Sequence, residues 1–173
     1  PFARIPYVTS YFDHHYPDYV RDDTIVLFNG HQASAIDGIE ERLPTFPGGY
    51  LSREMGRYLY YDGHTGFDYG TGAGMTVLAA APGEVVIART VPSSCATPLQ
   101  YVCVEHPNGY RTYYLHLEGI VVRKGQWVQA GDPLGFSGNS GCSFGAHLHF
   151  AVEYDGALTD PYGWRAEGVP DPL

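Results

Sequence analysis

The chain has 173 residues, which suits a single domain, residues 1–173, with a sizeable hydrophobic core. Its net charge of −9 at pH 7 argues against a nucleic-acid-binding protein, because such proteins neutralise phosphates with Lys and Arg. No stretch approaches the roughly 20 apolar residues of a membrane span. Glycine (22), proline (13) and tyrosine (15) are abundant, which favours short strands joined by tight turns. We therefore expect an all-β protein.

The first 60 residues alternate between strand signals and irregular stretches. Residues 7–12 are rich in strand formers, and residues 24–28 followed by Asn29-Gly30 predict a hairpin. Residues 34–43 are the only plausible helix, two or three turns long. Residues 13–60 carry too many aromatic side chains for disorder. We expect them to form an insertion along one rim of a cleft, as a wall.

Strand signals follow in quick succession after residue 63. Apolar or β-branched runs are separated by turns that contain glycine, asparagine or proline, as in an antiparallel sheet. The predicted strands are residues 75–80, 84–90, 101–105, 110–117, 121–122, 127–128, 134–136 and 147–154.

The hairpin at residues 108–109 allows a register to be predicted. A two-residue Asn-Gly turn would set Cys103 opposite Tyr114 and Tyr101 opposite His116. His116 would then share the polar face of its strand with both tyrosines, and the neighbouring leucines would lie on the other face. We expect both tyrosines to contact substrate, together with Tyr61.

Three cysteines allow at most one internal disulfide. None belongs to a CxxC pair, which argues against a zinc site formed by cysteine thiolates. Cys95 and Cys142 fall in predicted loops, whereas Cys103 falls within a strand. We expect the disulfide Cys95–Cys142, which suits a secreted protein.

His147 and His149 occupy alternate positions of a predicted strand, so they share a face, and Leu148 and Phe150 share the opposite one. A pair of solvated polar residues on a wet sheet face is the simpler interpretation of this spacing alone. The stretch from His64 to Asp68 is also a weak signal by itself, because a surface histidine near a carboxylate is common.

Together these residues predict a metal site with catalytic groups beside it. Two histidines and a carboxylate plus a water are the usual ligands of catalytic zinc, which activates the water and polarises a carbonyl. The chain has no HExxH motif, so its spare histidines would have to supply the base.

At this point the chain resembles the lysostaphin-like family of zinc endopeptidases, which cut bacterial peptidoglycan. Three motifs carry the resemblance, supported by the glycine spacing between them: residues 64–68 (HTGFD), 114–117 (YLHL) and 147–150 (HLHF). It covers residues 61–162 in the expected order and implies a small antiparallel sheet with a substrate groove.

The resemblance also implies roles for individual residues. His64, Asp68 and His149 would bind one Zn²⁺ per chain, and His116 and His147 would be catalytic. The implied partners are stem or cross-bridge peptides of peptidoglycan, and the implied location is the cell envelope or the extracellular space. We expect a monomer, and we interpret the start at Pro1 as a mature or trimmed fragment whose targeting segment has been removed.

Two other functions remain open from the sequence. A non-catalytic binding or activator module occurs on the same fold, although such modules lose metal ligands. A sugar-transport phosphocarrier domain also uses a pair of active-site histidines, but it needs no His-x-x-x-Asp motif. Among the remaining histidines, His106 is expected to be a structural hydrogen-bonding group, and His14 and His15 are candidates for the groove.

Overall fold

The computed structural model describes residues 1–3, 65–143, 145–159 and 161. Closer to the amino terminus it also describes short strands within residues 8–60, mainly as backbone. The strands in chain order are β1 (Val8–Ser10), β2 (Ile25–Val26), β3 (Gln32–Ala33), β4 (Ile39–Glu41), β5 (Leu51–Glu54), β6 (Arg57–Tyr60), β7 (Phe67–Gly70), β8 (Thr76–Leu78), β9 (Gly83–Val91), β10 (Leu99–Glu105), β11 (Tyr110–Leu115), β12 (Leu117–Ile120), β13 (Trp127–Val128), β14 (Pro133–Ser137), β15 (His147–Tyr154) and β16 (Ala157–Thr159).

The main sheet has eight antiparallel strands in the order β1-β7-β15-β11-β10-β9-β13, with β16 paired to β15. A second, three-stranded sheet has the order β12-β14-β8. Side chains of both sheets form one buried apolar cluster, which includes Val102, Tyr114 and Leu148 from the main sheet and Val77 and Leu134 from the smaller one. The predicted all-β antiparallel fold is confirmed. Within the described part of the chain, no helix is long and apolar enough to cross a membrane.

Strand β15 has the alternation expected from its sequence. Leu148 and Phe150 belong to the buried cluster. His147 and His149 alternate with them and therefore lie on the opposite face of the main sheet. This face, which carries both histidines, is called the histidine face below.

The predicted register of the β10–β11 hairpin is wrong by one residue. A 3₁₀ turn over Pro107–Gly109 replaces the two-residue turn, so Cys103 pairs with Tyr113 and Tyr114 pairs with Val102. The fixed φ of proline favours the first position of such a helical turn, which adds one residue to the loop. A shift of one residue exchanges the two faces, so Tyr114 points into the core instead of the groove.

The strand predicted over residues 110–117 is interrupted at His116, whose φ is +63°. Strand β11 ends just before this residue in the main sheet, and β12 starts just after it in the smaller sheet. His116 is therefore positioned by the crossing of the chain from one sheet to the other, and not by strand alternation.

The prediction of a helix over residues 34–43 is also wrong at its centre, because β4 (Ile39–Glu41) is an extended strand that pairs with β5. Cross-strand pairing outweighs local helix propensity here.

The amino-terminal part forms a two-stranded sheet, β2-β3, and a three-stranded sheet, β4-β5-β6. Strand β6 lies close to β1, next to the edge of the main sheet. The expectation that residues 13–60 form a cleft wall falls largely outside the described residues.

Candidate active site

Four polar side chains meet on the histidine face. Asp68 on β7 pairs across the sheet with His149 on β15, and His149 pairs with Leu115 at the end of β11. Asp68 Oδ1 lies 2.9 Å from His149 Nδ1 and 3.6 Å from His147 Nε2. The His116 ring centroid lies 4.6 Å from that of His147 and 6.1 Å from that of His149. Residues far apart in sequence thus form one compact constellation.

The ring of His149 has polar neighbours at both nitrogens. Nδ1 faces Asp68, and Nε2 lies 3.4 Å from Thr65 Oγ1. Nδ1–H can donate to the Asp68 carboxylate, which only accepts, and a metal ion bound between the two groups would take the place of this proton. The ring proton would then lie on Nε2, where Thr65 can accept it. Gly66 permits this close packing, because a Cβ there would lie 2.4 Å from the Phe150 carbonyl oxygen and 2.9 Å from His149 Nε2.

His116 is held through its backbone and its ring. Its positive φ is uncommon for a non-glycine residue, and such conformations cluster at functional sites. Nδ1–H donates to the Ser140 carbonyl at 2.7 Å, which leaves Nε2 as the free nitrogen. Burial and the neighbouring His147 lower the pKa of His116 from 6.5 to about 4, against the opposing effect of the Ser140 hydrogen bond. The ring is therefore uncharged at neutral pH.

His147 is oriented by the loop before its strand. Nδ1 lies 2.8 Å from the Gly145 carbonyl oxygen and 3.0 Å from Ser143 Oγ. Because a carbonyl only accepts, Nδ1 carries the proton, and Nε2 is the nitrogen on the side of Asp68. The two histidines beside the Asp68–His149 pair thus both use Nδ1 to bind a backbone carbonyl, and both leave Nε2 outside that hydrogen bond.

The loop that holds both rings is cross-linked to a second loop. Cys95 and Cys142 form a disulfide, which is the pairing expected from the sequence, and Cys103 is free and buried. Next to the disulfide, Gly141 N–H donates to the Pro98 carbonyl at 3.1 Å. These contacts fix the loop between β14 and β15 against the β9–β10 hairpin.

The tyrosines proposed to contact substrate have different positions. Tyr114 is fully buried, and its hydroxyl accepts a hydrogen bond from Ala80 N–H and lies 3.0 Å from Thr112 Oγ1. It cannot contact substrate, so that prediction is wrong. Tyr101 lies on β10, half-buried, and its hydroxyl accepts hydrogen bonds from Arg89. Tyr61 lies outside the described residues.

His106 has the structural role expected for it. Its Nδ1–H donates to the Pro82 carbonyl at 2.9 Å, and Nε2 lies 2.8 Å from Thr112 Oγ1 in the core. It is distant in the fold from the four clustered side chains and takes no part in their hydrogen bonds. His14, His15 and His31 lie outside the described residues.

Three residues that position the histidines were not predicted from the sequence. Thr65 and Ser143 each lie close in sequence to a predicted site residue, and a search for hydroxyls beside the motifs would have found them. Ser140 acts through its backbone carbonyl on His116, and no residue type signals such a contact.

The described donors fit a zinc site in their chemistry. The Asp68 carboxylate and His149 Nδ1 are close enough to bind one ion at the usual bond lengths of about 2 Å. His64, the third expected ligand, lies outside the described residues. Among the residues that the structure does describe, no group of three or more His, Cys, Asp or Glu side chains is arranged to hold a metal ion.

The part of the chain that carries these residues is similar in sequence to known peptidases. The model of peptidase family M23 matches residues 62–161. Peptidoglycan DD-endopeptidase ShyA of Vibrio cholerae is 41% identical over 89 residues, which cover 51% of this chain and 20% of the relative. Protease LasA of Pseudomonas aeruginosa is 35% identical over 127 residues, which cover 68% of this chain and 28% of the relative.

Among solved structures, the catalytic domain of lysostaphin from Staphylococcus simulans superimposes with a TM-score of 0.52 at 26% identity. The match covers 72% of this chain and 85% of that one. The first relatives are much longer than this chain, which spans about 20% of their length. The resemblance to lysostaphin-like enzymes is confirmed, and the family match covers more than half of the residues. The chain belongs to peptidase family M23.

Proposed function

We propose that this protein is a zinc-dependent endopeptidase that hydrolyses peptide cross-links of bacterial peptidoglycan, in the cell envelope or outside the cell. The observation that carries the proposal is the convergence of Asp68, His149, His147 and His116 on one face of the sheet. Relatives named as peptidoglycan endopeptidases support the substrate class. A solved structure described as a zinc-containing peptidase from Vibrio cholerae, 27% identical with a TM-score of 0.54, supports the metal.

Asp68 and His149 would hold the zinc ion, with His64 as the third ligand. When bound, zinc supplies an activated water and polarises the scissile carbonyl. The β7–β15 pairing brings the Asp68 carboxylate and His149 Nδ1 side by side, which supports this assignment, and Thr65 Oγ1 lies where it can accept a proton on His149 Nε2. Such outer contacts fix the tautomer of a ligand histidine.

His116 and His147 would handle protons and developing charge. His116 is neutral, and its Nδ1–H is engaged with Ser140, so Nε2 can accept a proton from an attacking water. His147 Nε2 lies 3.6 Å from Asp68 Oδ1, on the side of the proposed zinc site. When this nitrogen carries a proton, it can donate a hydrogen bond to an oxyanion or pass the proton to the leaving amine.

The test combines metal analysis with product analysis. After metal-replete purification, elemental analysis should find one zinc per chain in the wild type and a large loss in His149→Ala. Mass spectrometry of fragments released from sacculi of defined composition should show cleavage within the peptide cross-links. Stoichiometric zinc without any released peptide would reject the proposed reaction, and the absence of zinc would reject the proposed metal site.

A further inference from the structure

Arg89 and Tyr101 form a polar pair at neighbouring positions of β9 and β10. Arg89 Nε and Nη2 donate to the Tyr101 hydroxyl oxygen at 3.2 and 3.1 Å, and the guanidinium carbon lies 5.8 Å from the tyrosine ring centroid. Arg89 is exposed. No carboxylate among the described side chains forms an ion pair with it. Within the described part of the chain, the guanidinium is thus held in place by a neutral hydroxyl and not by an acidic group.

The strand registers place this pair in line with the four clustered side chains. Arg89 pairs with Tyr101 across β9 and β10, and His149 pairs with Leu115 on one side and Asp68 on the other. Val102 pairs with Tyr114 in the antiparallel β10–β11 register, so the next residues along the strands, Tyr101 and Leu115, lie opposite each other. Cross-strand neighbours share a face of the sheet. Arg89 and Tyr101 therefore lie on the histidine face, in the same row across the strands as Asp68 and His149.

The spacing of the strands gives the distance along this row. Arg89 and His149 are three strands apart, which corresponds to roughly 14 Å between their backbones. An extended peptide covers this distance in about four residues. A substrate lying across the strands with its scissile bond at Asp68 and His149 would bring a group a few residues away within reach of Arg89.

The remaining hydrogen-bond donors of the pair suit a carboxylate. A guanidinium has five N–H donors in a planar fork. Two of them point at Tyr101, so three remain on the outer nitrogens, where a carboxylate can accept two in parallel. The Tyr101 hydroxyl accepts both arginine bonds and keeps its own proton free to donate. Among the described side chains, none takes up the remaining donors of the pair, so these donors can serve an anion.

Arg111, another arginine of this face, shows the contrast. Its guanidinium is neutralised by Glu105 at 2.7 Å and Glu153 at 3.4 Å. Glu153 also accepts a hydrogen bond from Tyr113. The charge of Arg111 is therefore balanced by acidic residues of the protein itself, whereas the charge of Arg89 is available to a bound molecule.

The position of the pair is fixed relative to the catalytic histidines. Leu99, two residues before Tyr101 on β10, lies tightly against Gly141, where an added Cβ would come within 2.9 Å of the leucine. The disulfide between Cys95 and Cys142 joins the same two segments. The β9–β10 hairpin end and the loop that orients His116 and His147 thus form one cross-linked unit. A preorganised subsite costs less ordering entropy on binding.

We propose that Arg89 and Tyr101 form a subsite for a free carboxylate of the peptide substrate, a few residues from the cleaved bond. This inference rests on the proposed function and narrows its substrate class to stem peptides that carry an unamidated carboxylate at that distance. Arg89 acts as the charged fork, and Tyr101 orients it and adds a hydroxyl donor.

The experiment compares two substrates and three variants of the zinc-loaded protein. The substrates are a purified cross-linked stem-peptide dimer and the same dimer after conversion of its carboxylates to carboxamides. The variants are Arg89→Gln, Arg89→Lys and, as the control, Lys124→Gln, which removes the same charge from an exposed turn beyond β12. Zinc content, kcat and KM are measured for each, and anisotropy gives the affinity for the labelled monomeric stem peptide in both forms.

Arg89→Gln should raise KM for the carboxylate dimer roughly tenfold, the usual effect of losing a charge-assisted hydrogen bond, with kcat and zinc unchanged. KM for the carboxamide dimer should hardly change. The KM of Arg89→Lys for the carboxylate dimer should lie between the values of wild type and Arg89→Gln. Lysine keeps the positive charge but cannot form two parallel hydrogen bonds. Lys124→Gln should behave as wild type with both substrates.

Other results would overturn the subsite. One is an equal change in KM for both dimers, and another is an unchanged KM in Arg89→Gln. A third is the same rise in KM in Lys124→Gln, which would indicate an effect of net charge alone. If the wild type cleaves neither dimer, the proposed function fails and the anisotropy measurement decides the subsite separately. A preference for the carboxylate peptide that Arg89→Gln abolishes would support it, and equal affinity for both peptides would refute it.

Discussion

At the scale of single residues, two histidines are fixed by the same device. His116 and His147 each donate Nδ1–H to a backbone carbonyl, of Ser140 and Gly145 respectively, which leaves Nε2 for the proposed catalytic roles. A carbonyl can only accept, so these contacts determine the tautomer of the neutral ring. They also hold both rings beside Asp68, as the proposed roles in proton transfer require.

Replacing either histidine should separate catalysis from metal binding. We expect His116→Ala and His147→Ala to lower kcat by about 10²- to 10⁴-fold, the range for loss of a general acid or base, while zinc content stays near that of wild type. His149→Ala should lose both zinc and activity. Elemental analysis and steady-state kinetics on the same preparations check this. A folded but zinc-free His116→Ala or His147→Ala protein would contradict the division of roles.

His116 should titrate well below an ordinary histidine. Its pKa is lowered from 6.5 to about 4, first by burial and then by His147. Because the folded pKa is the lower one, the stability linked to this group is fully present above about pH 6.5 and is lost as the pH falls towards 4. Ring NMR signals of His116, assigned with His116→Gln, should therefore stay those of the neutral form at pH 6. A midpoint near 6.5 would disagree with this prediction.

At the scale of elements, the loop between β14 and β15 carries the contacts that orient both rings. Ser140 and Ser143 belong to it, and the disulfide at Cys142 ties it to the segment before β10. The expected zinc donors Asp68 and His149 instead lie on strands of the main sheet. The proposed metal binding and the orientation of the His116 and His147 rings therefore depend on different elements.

Removing the disulfide should loosen this loop. In the double variant Cys95→Ser with Cys142→Ser, we expect the free energy of unfolding to fall by roughly 2–4 kcal/mol. kcat should fall with it, whereas zinc should remain bound because its donors on the strands are untouched. Urea unfolding, kinetics and metal analysis test this. Reductant should reproduce the effect in wild type and change nothing further in the double variant; an unchanged kcat would mean that hydrogen bonds alone hold the loop.

The amino-terminal insertion leads to a prediction about substrate choice. Its aromatic side chains and acidic residues, among them Asp22 and Glu40, suggest a cleft wall that disfavours anionic groups near it. Shortening the chain between Val20 and Tyr50 should leave zinc content unchanged and alter the preference among peptides of different charge. Cleavage assays with a set of such peptides provide the measurement. An unchanged preference would place the insertion away from the groove.

At the scale of the whole molecule, one buried cluster of side chains joins both sheets. Cys103 lies in the main sheet, so its reactivity shows whether that sheet is folded. Cys103 is fully buried at the centre of β10, and burial raises the pKa of its thiol from 9.0 to about 11. At pH 8 the thiolate is scarce, and the sulfur is shielded by neighbouring strands.

Alkylation of Cys103 should therefore require unfolding of the sheet. With iodoacetamide at pH 8, we expect very slow labelling in native buffer and a steep rise in rate across the urea unfolding transition. The disulfide cysteines, labelled only after reduction, serve as the internal control. Rapid stoichiometric labelling of Cys103 in native buffer would show that β10 opens locally.

The sequence alone determined the features that depend on local pattern. The alternation of β15 sets His147 and His149 on one face and Leu148 and Phe150 on the other, because side chains of a strand alternate by geometry. The turn-rich composition indicated an all-β fold, and the spacing of the motifs led to the family. The loop positions of Cys95 and Cys142 also singled out the disulfide pair that the structure contains.

The tertiary structure decided what depends on contacts between distant segments. The 3₁₀ turn at Pro107 shifted the β10–β11 register and moved Tyr114 into the core, since one residue of slip exchanges the faces of a strand. Pairing with β5 made residues 39–41 extended in spite of their helical pattern. The placement of His116 follows from a positive φ where the chain changes sheets, and the carbonyl that orients its ring comes from Ser140, which only the assembled fold brings near.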